Sequence, residues 1–112
     1  MCGIIAYTGK GDVRKILHSG LKQLEYRGYD SSGIALQNVT GNIQTSKVVG
    51  SVNKLKTKTA KFVATSGIGH TRWATHGSPL LKNAHPIESS SKSISLVHNG
   101  IIENYAELKS KL

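Results

Sequence analysis

The period of the apolar positions changes several times along the chain, and each change marks a predicted element. Cys2 to Tyr7 is nearly all apolar, which predicts a short strand buried on both faces. Gly9 and Gly11 break it, and Asp12 is placed to cap the next element. Val13, Ile16, Leu17, Leu21 and Leu24 then recur at helical spacing, with Arg14, Lys15, Lys22 and Gln23 elsewhere, so a helix is predicted over 13–26. Gly28 stands where that helix can turn off in the left-handed conformation. Ile34-Ala35-Leu36 and Ile43 to Val49 read as a hairpin around Thr40-Gly41-Asn42. Val52, Leu55, Thr59 and Phe62 share one helical face, predicting a second helix over 52–62.

Ile68 to Arg72 reads as a strand, and Trp73 to Ser91, with Gly77, Pro79 and Pro86, as a long loop of the kind that carries function. Ser93 to His98 alternates like a strand and Asn99-Gly100 turns. Ile101, Tyr105, Leu108 and Leu112 mark a final helix. The order β-α-β-β-α-β-β-α points to one α+β domain, residues 1–112, with antiparallel sheet.

Composition narrows the function. The net charge of +9 and the basic run Lys54, Lys56, Lys58 and Lys61 suggest nucleic acid. However, one Trp and one Phe give little to stack bases on, so the lysines read as a solvated helix face and no nucleic-acid partner is expected. A single cysteine excludes an internal disulfide framework. No apolar run nears the roughly 20 residues that cross a bilayer, and Met1 to Tyr7 lacks the features of a secretory signal. The expectation is a cytoplasmic protein without a membrane partner.

Cys2 is the most informative residue. With Met1 removed it would carry both a thiol and a free α-amine, and an amine titrating near pH ~8 can take the thiol proton. Its bland reading is a small buried hydrophobe in the first strand. Gly69-His70-Thr71-Arg72-Trp73-Ala74-Thr75-His76-Gly77 concentrates polar chemistry: Arg72 can fork onto a carboxylate, with the Thr75 hydroxyl beside it. The alternative is a strand end with a packed Trp and two solvated histidines. At Asn99-Gly100, an amide and the next backbone N–H can converge on one developing oxyanion, although Asn-Gly is also the commonest tight turn. His70, His76, His85 and His98 match no zinc spacing, so no metal is expected. Gly9-Lys10-Gly11 and Gly67-Ile68-Gly69 lack the spacing of a phosphate-binding loop.

Taken together, Cys2-Gly3-Ile4-Ile5, the segment Leu24 to Ala35 with Tyr26-Arg27-Gly28-Tyr29-Asp30, the Gly69–Gly77 block, Asn83-Ala84-His85-Pro86 and Val97 to Tyr105 resemble the glutaminase domain of the class II glutamine amidotransferases. These belong to the N-terminal-nucleophile hydrolases, and the His-rich blocks favour the hexosamine-forming branch. The resemblance implies the front half of an αββα sandwich that hydrolyses the side-chain amide of L-glutamine and supplies ammonia for glucosamine 6-phosphate synthesis, with no cofactor. By motif, Cys2 would be the nucleophile, its α-amine the base, and Asn99 with the Gly100 N–H the oxyanion hole. Arg72 would hold the glutamine α-carboxylate, assisted by Thr75 and His76. Trp73 would lie on the closing loop, and Arg27 and its neighbours would support the site.

The chain departs from that pattern in three ways. Ile87 stands where the family usually has His. The family's domain, including an Asp that binds the α-amino group, extends past the counterpart of Leu112. The sugar-isomerising domain has no counterpart here. A truncated domain is therefore expected, with a sugar-isomerising domain or longer synthase chain as partner. A non-catalytic relic and a basic nucleic-acid binder stand as alternatives.

Overall fold

The computed structural model describes residues 1–55 and 61–112. Strand β1 is Gly3–Thr8, helix α1 is Val13–Leu24, and strands β2 and β3 are Ser31–Gln37 and Ile43–Val49. Strand β4 is Ser66–Arg72, short strands β5 and β6 are Ile87–Glu88 and Ser95–Leu96, and helix α2 is Tyr105–Lys111. Single turns of tighter helix occupy Glu25–Arg27, Val52–Leu55 and Leu81–Asn83. Among the described residues no helix is long and apolar enough to cross a membrane.

The main sheet has the order β1-β4-β2-β3, antiparallel throughout. Its register places Ile4, His70, Gly33 and Lys47 in one row across the four strands. Neighbouring rows point to opposite faces. One face carries α1. The Asp12 side chain accepts a hydrogen bond from the Lys15 N–H at 3.0 Å and so starts the helix. Val13, Leu17 and Leu21 are then buried against Ile34, Leu36, Val48, Val52 and Leu55. Gly67 and Gly69 make this possible, because a Cβ there would lie 2.7 Å from Leu17 and 3.0 Å from Leu21.

The opposite face is covered in part by residues from the 83–99 segment, and the candidate residues Cys2 and Asn99 meet at its end. It also holds an apolar cavity of about 540 Å³ between Ala6, Ala35, Ile68 and Ile94, at the end away from Cys2. None of the candidate side chains lines it.

Several predicted elements are corrected. β1 is not buried on both faces: Ile4, Ala6 and Thr8 are exposed because it is an edge strand whose outward face is only partly covered. α1 ends at Leu24 and tightens into the turn over 25–27. Gly28 has positive φ, but with ψ 150° it is extended rather than left-handed helical. The predicted second helix begins as a single tight turn, Val52–Leu55, which is enough to bury both apolar residues; positions 56–60 lie outside the described residues. The predicted loop 73–91 contains β5, paired with β6, and the strand expected over 93–98 shrinks to Ser95–Leu96. The last helix starts at Tyr105, and its apolar residues are exposed.

Candidate active site

The site is built at one end of the sheet, where β1 begins and β4 ends. Gly3 pairs with Thr71, so the next step outward sets Cys2 beside Arg72 and Trp73. The Trp73 N–H donates to Cys2 Sγ at 3.4 Å, and the thiol reaches the Trp73 carbonyl at 3.6 Å. Cys2 is half-buried and free. Met1 precedes it, its amino group donating to the Arg27 carbonyl at 3.3 Å, and Arg27 lies against the Met1 sulfur at 3.6 Å.

Asn99 arrives from the other side. Its Nδ2 donates to the Cys2 carbonyl at 3.4 Å, while its Oδ1 lies 2.7 Å from His70 Nε2. Gly100 follows with φ +147°, and a Cβ on it would meet the His98 ring at 3.0 Å, so the turn after Asn99 requires glycine. The sheet end thus brings Cys2, Trp73 and Asn99 together from distant parts of the chain, with Gly100 next to Asn99.

Arg72 is buried and organises the loop that follows it. Its guanidinium donates to the carbonyls of His76, Gly77 (3.4 Å) and Ser78 (3.2 Å), and Asp30 lies 3.8 Å away. Asp30 also accepts from the Ala74 N–H, and its own N–H donates to the Arg72 carbonyl at 2.7 Å. Trp73 projects from this base, half exposed, over Gly28. Thr75 and His76 are exposed and hydrogen-bond each other at 3.1 Å. They stand in the same loop as Arg72 but have no contact with Cys2 or Asn99 among the described hydrogen bonds.

The histidines form a frame rather than a metal cluster. Among the described residues no three His, Cys, Asp or Glu side chains converge. The rings of His70 and His85 stack with centroids 4.6 Å apart. The His98 N–H donates to His85 Nδ1 at 3.2 Å. Burial, and then repulsion of a His85 charge by its neighbours, among them the Arg72 guanidinium and Lys47, pushes His85 down to about 4. Burial also lowers His70, against an opposing effect of the Asn99 hydrogen bond.

Two connections escape sequence reading. The anchoring of loop 73–78 by Asp30 is not visible because the partners are more than forty residues apart in sequence (|i−j| = 44 for Ala74). The pairing of His70 with Asn99 is hidden in the same way. A signal for the second exists: with Gly67 and Gly69 turned to the helix, alternation along β4 puts His70 and Arg72 on the other face.

No family model matches the chain. The fold is similar to the glutamine phosphoribosylpyrophosphate amidotransferase of B. subtilis, with TM-score 0.78 and 26% identity over 96% of this chain and 24% of that one. A structure of the allosteric regulatory enzyme of purine biosynthesis gives TM-score 0.81, also at 26% identity. The chain therefore has a class II glutamine amidotransferase fold, with Cys2 and the Asn99-Gly100 turn at one sheet end.

Among sequences, the glutamine–fructose-6-phosphate aminotransferase (isomerizing) of Oceanobacillus iheyensis is 50% identical over 112 residues, 99% of this chain. That of Bacteroides thetaiotaomicron is 54% identical over 114 residues, and that of Bacillus cereus 54% over 110. The chain is thus similar, along almost its whole length, to one part of these aminotransferases. It spans about a fifth of the length of the relatives it matches.

Proposed function

We propose that the chain hydrolyses the side-chain amide of glutamine at Cys2 and that the ammonia serves glucosamine 6-phosphate synthesis, residues 1–112 forming the front of an N-terminal-nucleophile αββα glutaminase domain. The observation that carries the reading is the Asn99 carboxamide, tied to the Cys2 backbone at 3.4 Å beside a sulfur that already accepts the Trp73 N–H. Once Met1 is removed, the Cys2 α-amine takes the thiol proton and the sulfur attacks the amide carbon. The electron pair of the carbonyl moves onto its oxygen, where Asn99 Nδ2 and the Gly100 N–H donate to it. The tetrahedral adduct collapses, the C–N bond breaks, and the amine-held proton leaves with ammonia. Water, deprotonated by the same α-amine, then cleaves the thioester and releases glutamate.

Arg72 supplies the positive charge for the substrate α-carboxylate. Its buried guanidinium is held by loop carbonyls, so substrate binding exchanges some of those bonds for paired ones to an ionised acceptor. Thr75 and His76 line the same loop, Trp73 closes over the substrate, and Arg27 holds the chain end that carries Cys2. The sugar half of the reaction belongs to a sugar-isomerising domain or longer synthase chain.

The test is ammonia release from glutamine by the full gene product and its Cys2→Ala variant. Activity in the wild type and none in the variant is expected. Equal turnover in the two would overturn the assignment of the nucleophile.

A further inference from the structure

Asn99 is exposed at a turn, yet its amide has a defined direction, and the residue that sets it is buried. His70 is 1% exposed, and its Nε2 lies 2.7 Å from Asn99 Oδ1. The Asn99 amide has one arrangement in which both its ends pair correctly. Oδ1 accepts from His70 Nε2–H, and Nδ2 donates to the Cys2 carbonyl. Turned over, it would set Oδ1 against the Cys2 carbonyl, acceptor against acceptor. His70 is therefore the Nε2–H tautomer. Its Nδ1 is buried without a hydrogen-bond partner among the described residues, so a second proton there would have no acceptor.

The ring itself is fixed by the row it occupies. Gly33 is its neighbour across the ladder, and a Cβ on Gly33 would collide with the His85 carbonyl. The missing side chain lets residues 85–86 lie directly on the sheet, where the His85 ring stacks on His70. His85 is held in turn by the His98 N–H, one residue before Asn99. The frame thus closes on itself, from Gly33 through His85 and His70 to Asn99.

We propose that His70 is a positioning residue for the oxyanion site: its Nε2–H grips Asn99 Oδ1 and so keeps the Nδ2 hydrogens turned to the Cys2 end of the sheet. It touches no substrate. This rests on the glutaminase reading and adds to it a residue that acts only when negative charge develops on the substrate oxygen. Loss of the grip frees the amide to rotate, and misplacement of a donor by an ångström is worth about 10- to 100-fold in turnover.

The test uses glutaminase kinetics of the full gene product with His70→Leu, His70→Gln and His70→Asn. The Gln amide nitrogen reaches about as far as imidazole Nε2, whereas the Asn amide reaches only as far as Nδ1. We expect kcat to fall about 10- to 100-fold in H70L and H70N, KM to change little, and H70Q to recover most of the loss. In an Asn99→Ala background the same changes at position 70 should cost nothing further. Alkylation of Cys2 by iodoacetamide, which forms no oxyanion, should proceed at the wild-type rate in each.

Unchanged kcat in H70L, or a loss carried by KM, overturns the proposal. Should H70L fail to fold, H70Q against H70N decides: equal activities overturn it. A wild type that releases no ammonia sinks the glutaminase reading and this proposal with it, whereas an active wild type with an indifferent position 70 sinks the proposal alone.

Discussion

The backbone of Gly28 and the indole of Trp73 are in direct contact: a Cβ added at Gly28 would stand 2.7 Å from Trp73 Cε3. Gly28 also has φ +92° with ψ 150°, a combination open to glycine alone. The turn after α1 is in this way the floor on which the loop beyond β4 rests. Gly28→Ala should destabilise the fold by about 1–3 kcal/mol and displace Trp73. The check is a lowered urea midpoint together with a raised KM for glutamine.

Gly33 is the corresponding position on the other side of the site. Its substitution by Ala drives a Cβ into the His85 carbonyl and lifts residues 85–86 from the sheet. The expected cost is about 1–3 kcal/mol, as for overpacking elsewhere. Turnover should fall as well, since the His70 ring loses its stacked neighbour. Thermal melts and ammonia release measured on the same preparation test both.

Acid should weaken the fold before it protonates most carboxylates. Folded His85 stays neutral down to about 4, whereas in the unfolded chain it protonates near its ordinary 6.5. Between those values the unfolded state binds more protons, so stability rises with pH; it is complete above about 6.5 and is lost as pH falls toward 4. His70 acts in the same direction. Asp12, lowered by the Lys15 N–H, adds stability that is fully present above its ordinary 3.8 and is lost only below it, so it leaves this range unaffected. Denaturant midpoints between pH 7 and about 4.5 should fall, and His85→Gln should flatten part of that slope.

Retention of Met1 should abolish ammonia release, because the amino group at the Arg27 carbonyl then belongs to Met1 and not to the residue bearing the thiol. Fractions separated by N-terminal mass should show activity only where the methionine is gone. Activity in the uncleaved fraction would exclude the α-amine as base.

How much of this is legible in the sequence depends on the range of the interactions. β1, α1, the β2–β3 hairpin and β4 are all legible to within a few residues, α1 because it buries a periodic face and the strands because short apolar runs between turn residues mark them. The tight turn at Val52 and Leu55 reads as a helix because two apolar residues three apart fit either shape. β5 and β6 are too short to show any period. α2 follows a spacing whose apolar residues are exposed, so the pattern overstates its start.

At the site, Cys2, the Arg72–His76 block and Asn99-Gly100 are visible as residue types with matching chemistry. Their wiring is not. The bond between His70 and Asn99 exists because Gly33, far away in sequence, leaves room for His85. The guanidinium of Arg72 is turned to its own loop by Asp30, a residue that sequence reading groups only loosely with the site.

The antiparallel pairing of Gly3 with Thr71 sets the sulfur's address by counting along a ladder. Slippage of that edge strand by a single residue would swing the thiol round to the helix side, out of reach of Asn99. Slippage by two would keep the correct side yet carry it roughly 7 Å along the strand. Among the described residues β4 is the one strand that pairs with this edge, so fidelity of the chemistry is decided when the two first zip together.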